Sequence, residues 1–69
     1  YEFGNCDCTI CAEAPKLNPH IPAMTACLAE VMGVEENQIS IKATTTEQLG
    51  FVGRKEGIAA QAVALIIKN

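Results

Sequence analysis

The chain is 69 residues long, 49% hydrophobic and 19% charged, with a formal net charge of −3. That is one small domain, too apolar for a disordered tail and too short to bury more than about 60% of its unfolded surface. Five scattered Lys and Arg residues exclude a nucleic-acid partner, which needs clustered cations to displace counterions; the longest apolar run, Ala62 to Ile67, falls far short of the ~20 residues that span a membrane.

The chain opens at Tyr1-Glu2-Phe3-Gly4 with neither an initiator Met nor a basic, cleavable leader, which reads as the middle of a longer, non-secreted protein. So high an apolar share in so short a chain also implies a covering partner or a further part of the same protein. Asn5 to Cys11 alternates weakly and predicts a strand. There Cys6 and Cys8 share one face and Cys11 takes the other. The four thiols (with Cys27) read as reduced, mostly buried small hydrophobes of a cytosolic or organellar protein. Cys8-x-x-Cys11 has a metal-ligand spacing that Cys27 or His20 could complete, but no second such pair follows.

Ala12 to Pro19 is a loop stiffened by Pro15. Asn18 reads as an N-cap with Pro19 at the first helical position. A helix over 19–32 follows, with Ile21, Met24, Leu28 and Val31 as its buried stripe and Gly33 as its stop. Gln38 to Ala43 places Ile39, Ile41 and Ala43 on one face, a half-buried strand. Strand, helix, strand predicts a crossover unit with parallel strands. Thr44 to Gly57 is irregular and polar, with Thr46 capping a short turn that begins at Glu47. Ile58 to Lys68 mixes helix-favouring alanines with Val63, Ile66 and Ile67. Its apolar residues keep to no single helical face, which favours a central strand.

Both loops leave the carboxyl ends of the predicted parallel strands, where ligands bind in open α/β sheets. The hydroxyls and backbone N–H groups of Thr44-Thr45-Thr46-Glu47 suit phosphate oxygens; a strand end followed by a capped turn accounts for the same residues. The rigid loop Ala12-Glu13-Ala14-Pro15-Lys16-Leu17-Asn18 exposes backbone groups that could read a flat base edge, and an ordinary strand-to-helix connection explains it equally. Phe51 could wall a pocket and Arg54 grip an anion, or Arg54 is a solvated loop charge. No Gly-Lys-Ser/Thr follows the glycines, so a Walker-type phosphate loop is excluded.

Ala14-Pro15-Lys16-Leu17, Pro19-His20-Ile21-Pro22 and above all Lys42-Ala43-Thr44-Thr45-Thr46-Glu47, with Leu49-Gly50-Phe51 and Gly53-Arg54, resemble the C-terminal part of the 2-C-methyl-D-erythritol 2,4-cyclodiphosphate synthase family. The resemblance runs from Tyr1 to Lys68. It implies an α/β fold, a mixed sheet with helices packed on one face, in which the crossover is followed by a C-terminal strand. It also implies a homotrimer with active sites between neighbouring subunits. The implied activity is cyclisation of 4-diphosphocytidyl-2-C-methyl-D-erythritol 2-phosphate with release of CMP, a lyase step of non-mevalonate isoprenoid biosynthesis, in the bacterial cytoplasm or a plastid-type organelle. Carried over by the resemblance, Ala12 to Asn18 form the cytosine pocket, Thr44 to Glu47 hold the diphosphate, and Thr45 orients the reacting phosphate. Phe51 and Arg54 line a cavity on the trimer axis, where Gln61 replaces the Glu of some members. The family's Asp-x-His and later His, which hold a divalent zinc, magnesium or manganese ion, have no counterpart here. The N-terminal half of the subunit is thus an implied partner. A catalytically silent, trimeric nucleotide-binding module and a cysteine-based metal module are the other readings.

Overall fold

The computed structural model describes all residues, 1–69. Strand β1 spans Glu2–Cys11, helix α1 Ile21–Met32, strand β2 Ile39–Thr44, the single helical turn α2 Gly50–Gly53 and strand β3 Ala59–Ile67. The strand order is β2-β1-β3. β1 runs parallel to β2, with Cys6 opposite Ile39 and Cys11 opposite Thr44. It runs antiparallel to β3, with Cys8 opposite Ala62, so the sheet is mixed.

The core lies between α1 and one sheet face. Ala29 of α1 meets Ile39 and Ile41 of β2, and Cys6, Cys8 and Ile10 of β1 pack around them with Ile21, Met24 and Val34. Ser40 and Lys42 take the opposite face, as the alternation in β2 requires. Burial pushes the Cys8 thiol above its ordinary range, with neighbouring Cys6 adding to the effect. That thiol stays neutral and packs as a hydrophobe. Gly33 ends α1 at φ 70°, a left-handed conformation that glycine adopts without a Cβ penalty.

Several boundaries differ from the sequence expectation, each for a physical reason. β1 begins at Glu2, not Asn5, because β3 pairs with it as far as Ile67, with a register shift between Phe3 and Asn5. Asn18 is no N-cap. Pro19 and Pro22 lack N–H groups, so the first turn is closed by the His20 N–H on the Leu17 carbonyl at 2.8 Å and the Ile21 N–H on the Asn18 carbonyl. This is a 3₁₀ turn over Asn18–His20, and the α-helix starts at Ile21. Gln38 belongs to a second 3₁₀ turn, and its amide donates to the Gly4 carbonyl at 2.9 Å. On α1, Val31 is 80% exposed and Leu28 partly so, whereas Ala29 is buried: part of the apolar stripe faces away from this sheet. Cys27 is likewise exposed. β3 pairs on one side only and is an edge strand here, not a central one, with Val63 73% exposed.

The stretch after β2 is more ordered than its polarity suggests. The Leu49 N–H donates to the Thr46 carbonyl at 3.1 Å, and the Gly53 N–H to the Leu49 carbonyl at 3.1 Å. Gly53 abuts this turn so closely that a Cβ there would lie 2.1 Å from the Gln48 carbonyl carbon. Gly53→Ala is expected to destabilise the complete protein by about 2 kcal/mol through overpacking, read as a lowered midpoint of urea unfolding. An unchanged midpoint would show that the turn yields freely.

Candidate functional site

The parallel register brings the two loops predicted to carry chemistry to one edge of the sheet. β1 leads into the 12–18 loop and β2 into the threonine run, and the Ala12 N–H extends the ladder by donating to the Thr44 carbonyl at 3.0 Å. Between the loops lies a cleft of about 380 Å³, lined by residues 12–19 except Ala14 and by Ala43, Thr44 and Thr45. Ala12 is buried at its base. Pro19 and Ala43 line the cleft in addition to the residues expected to carry chemistry, Ala43 as the last inward position of β2.

The two walls offer different chemistry. On the first, the N–H groups of Glu13, Ala14, Lys16 and Leu17 donate to no group within the chain. Unpaired donors beside a rigid turn must find water or a ligand. Lys16 lies on this wall without a carboxylate partner, whereas Lys42 is tied to Asp7 and Arg54 to Glu56.

On the second wall the N–H groups from Thr46 to Leu49 all have partners within the chain. Glu13 reaches across: its Oε1 accepts the Thr46 N–H at 3.0 Å and the Gln48 N–H at 3.1 Å. The Thr46 hydroxyl shares its proton between the Leu49 carbonyl at 2.7 Å and that same carboxylate oxygen at 3.3 Å. The Glu47 N–H points to Thr45 Oγ1 at 3.3 Å. Thr45 is exposed on the cleft, so its hydroxyl proton remains free to donate outward. Glu47 and Gln48 sit at φ 53° and 67°, a left-handed pair that costs roughly 1–2 kcal/mol per residue for side chains with a Cβ.

Thr46 and Glu47 stand just beyond the cleft lining, and Phe51 and Arg54 lie outside it. Arg54 bonds Glu56, and the Phe51 ring lies over Gly57. The thiols of Cys8 and Cys11 alternate across β1, and no three His, Cys, Asp or Glu side chains are grouped to hold a metal ion. No helix is long and apolar enough to cross a membrane.

The sequence profile of the YgbB family matches residues 1–67. The 2-C-methyl-D-erythritol 2,4-cyclodiphosphate synthase of Parabacteroides distasonis is 68% identical over 66 residues, 96% of this chain and 41% of its own length. The synthase of Porphyromonas gingivalis is 69% identical over 67 residues, again 41% of its length. The chain thus spans about two fifths of these relatives. Among solved structures, the Plasmodium vivax synthase superposes with a TM-score of 0.93 at 37% identity, covering 97% of this chain and 45% of that one. A CDP complex of IspF from Plasmodium falciparum gives 0.90 at 35%, covering 99% and 44%.

The bonds that Glu13 accepts, from Gln48 first and then Thr46, hold its carboxyl below the usual glutamate range. A depressed folded-state pKa means a contribution to stability that is present above the ordinary glutamate pKa and lost as pH falls through the lowered value. A carbon NMR titration of Glu13 in the folded protein is expected to give a midpoint below that of an exposed glutamate; an ordinary midpoint would mean that the carboxylate does not hold the turn.

Proposed function

The chain belongs to the YgbB family, and from that premise we propose that it forms the cytidine-nucleotide side of the active site of a 2-C-methyl-D-erythritol 2,4-cyclodiphosphate synthase. The observation that carries this reading is the cleft itself: one wall of unpaired backbone donors and a lysine, the other of threonine hydroxyls, joined at the carboxyl ends of parallel strands. The first wall, Ala12 to Asn18, suits the edge of a cytosine ring. The second, Thr44 to Glu47, suits a diphosphate.

The reaction asks mainly for positioning and charge neutralisation. An oxygen of the substrate's 2-phosphate bonds to the β-phosphorus; the bond from that phosphorus to the bridging oxygen breaks, and CMP leaves with the electron pair. The outward hydroxyl of Thr45 donates to the reacting phosphate as charge shifts, and the Lys16 ammonium balances negative charge at the cleft mouth. A divalent ion in this family supplies Lewis-acid stabilisation. The residues here do not fit it, since no three candidate ligands gather, so its ligands belong to the rest of the protein and no step is assigned to it on this chain.

The same reading makes the protein a homotrimer, with Phe51, Arg54 and Gln61 toward the axis and the sites completed by neighbouring subunits and the N-terminal half. Exposed Val31, Val63, Leu65 and Ile66 are the apolar surface such neighbours would cover. The location is a bacterial cytoplasm or plastid-type organelle.

The test is CMP release from 4-diphosphocytidyl-2-C-methyl-D-erythritol 2-phosphate by the complete protein, unmodified and as Thr45→Val. The unmodified protein is expected to turn over, and the variant to lose about tenfold in kcat with a smaller change in KM, since the contact strengthens in the transition state. Nucleotide binding without CMP release would leave a silent binding module; an unchanged kcat would make the hydroxyl incidental.

A further inference from the structure

We infer that Glu13 is a positioning residue that sets the phosphate-facing hydroxyl of Thr45 by holding the Thr46–Gln48 turn from across the cleft. The inference deepens the nucleotide-site reading and rests on it. It assigns to the Glu13 side chain a role distinct from the backbone contacts of the loop that carries it.

The connection is a short chain of hydrogen bonds. Glu13 Oε1 accepts the N–H groups on either side of Glu47, from Thr46 at 3.0 Å and Gln48 at 3.1 Å. With both flanks fixed, Glu47 is held in the left-handed conformation that aims its own N–H at Thr45 Oγ1, 3.3 Å away. That bond occupies one acceptor site of the hydroxyl and leaves its proton for the cleft. Gly53 closes the other side of the turn against the Gln48 backbone.

Two features show why a carboxylate suits this place. Consecutive left-handed residues with side chains persist only where their surroundings over-determine them. Charge-assisted N–H bonds to one oxygen, roughly twice as strong as neutral ones, do so. The Lys55 ammonium adds a favourable field at the same carboxylate. The converging N–H groups of such a turn also form a concavity that binds anions. Because Glu13 fills it, a substrate phosphate is turned away from the turn and toward Thr44 and Thr45. The loop thereby sets the register of the phosphates without touching them.

The experiment is isothermal titration of the complete protein with CDP and with cytidine, for the unmodified protein, Glu13→Ala and Glu13→Gln. Glu13→Ala is expected to weaken CDP binding about tenfold while cytidine binding stays within about twofold, because only the phosphate wall loosens. Glu13→Gln keeps an acceptor oxygen and is expected to recover CDP affinity to within about threefold of the unmodified protein. If the unmodified protein binds neither ligand, the reading of the cleft fails. If it binds CDP and Glu13→Ala binds CDP equally well or better, the positioning role alone fails. Equal losses for both ligands, or no recovery with Gln, also overturn it. Should Glu13→Ala not fold, Glu13→Gln decides by amide exchange: Thr46 and Gln48 are expected to exchange about fivefold faster than in the unmodified protein, and unchanged exchange overturns the role.

Discussion

The parallel pairing of β1 with β2 in one register is the constraint on which the rest of this molecule depends. It sets Cys11 opposite Thr44 and carries one bond further, from the Ala12 N–H to the Thr44 carbonyl. Two loops that start 33 residues apart in sequence thereby leave the sheet side by side. The core enforces the register. Cys6, Cys8 and Ile10 lie under α1 together with Ile39 and Ile41, and a slip of one residue would turn one strand's apolar set to the outer face. The cleft is therefore as well placed as the core is well packed.

That core is small. Five residues are buried, all of them apolar, and β3 carries its apolar side chains into the open on an edge. A layer so thin, 14 Å in its shortest dimension, cannot cover both faces of its sheet with one twelve-residue helix. The apolar surface left on β3 and on the outer arc of α1 is the kind that other protein covers. The contrast between the cleft walls has the same logic at smaller scale. The threonine turn has its Thr46 and Gln48 N–H groups held by Glu13 of the facing loop and brings an outward hydroxyl. The opposite loop leaves N–H groups open and brings a cation.

How much of this could be read from the residues follows from how local each signal is. β2 announces itself through Ile39 and Ile41 against Ser40 and Lys42, and α1 ends where Gly33 allows a left-handed residue. The position of both loops is legible because each follows the carboxyl end of a strand in a strand–helix–strand unit, the edge at which open α/β sheets bind ligands in general. Periodicity marks which positions are apolar, not what covers them. Hence Val31 reads as core and is exposed, Ala29 is core and passes unnoticed, and β3 reads as central yet lies at the edge. The start of β1 depends on Ile66 and Ile67 of β3, at the far end of the chain. The bonds from Glu13 to Thr46 and Gln48 span 33 and 35 residues, and no local pattern signals them. The start of α1 is set less by what Asn18 can cap than by the N–H groups that Pro19 and Pro22 remove.

The claim that holds the account together is that a cytidine nucleotide lies in the cleft between the 12–18 loop and the threonine run. The most direct measurement is a crystal structure of the complete protein with CDP bound. The account predicts the cytosine edge against the backbone N–H groups of Glu13, Ala14, Lys16 and Leu17, phosphate oxygens within hydrogen-bond reach of Thr45 Oγ1, and the Glu13 carboxylate still on the Thr46 and Gln48 N–H groups. A nucleotide seated elsewhere, for example in the groove of α1 beside His20, Met24 and Cys27, with the cleft empty, would contradict it.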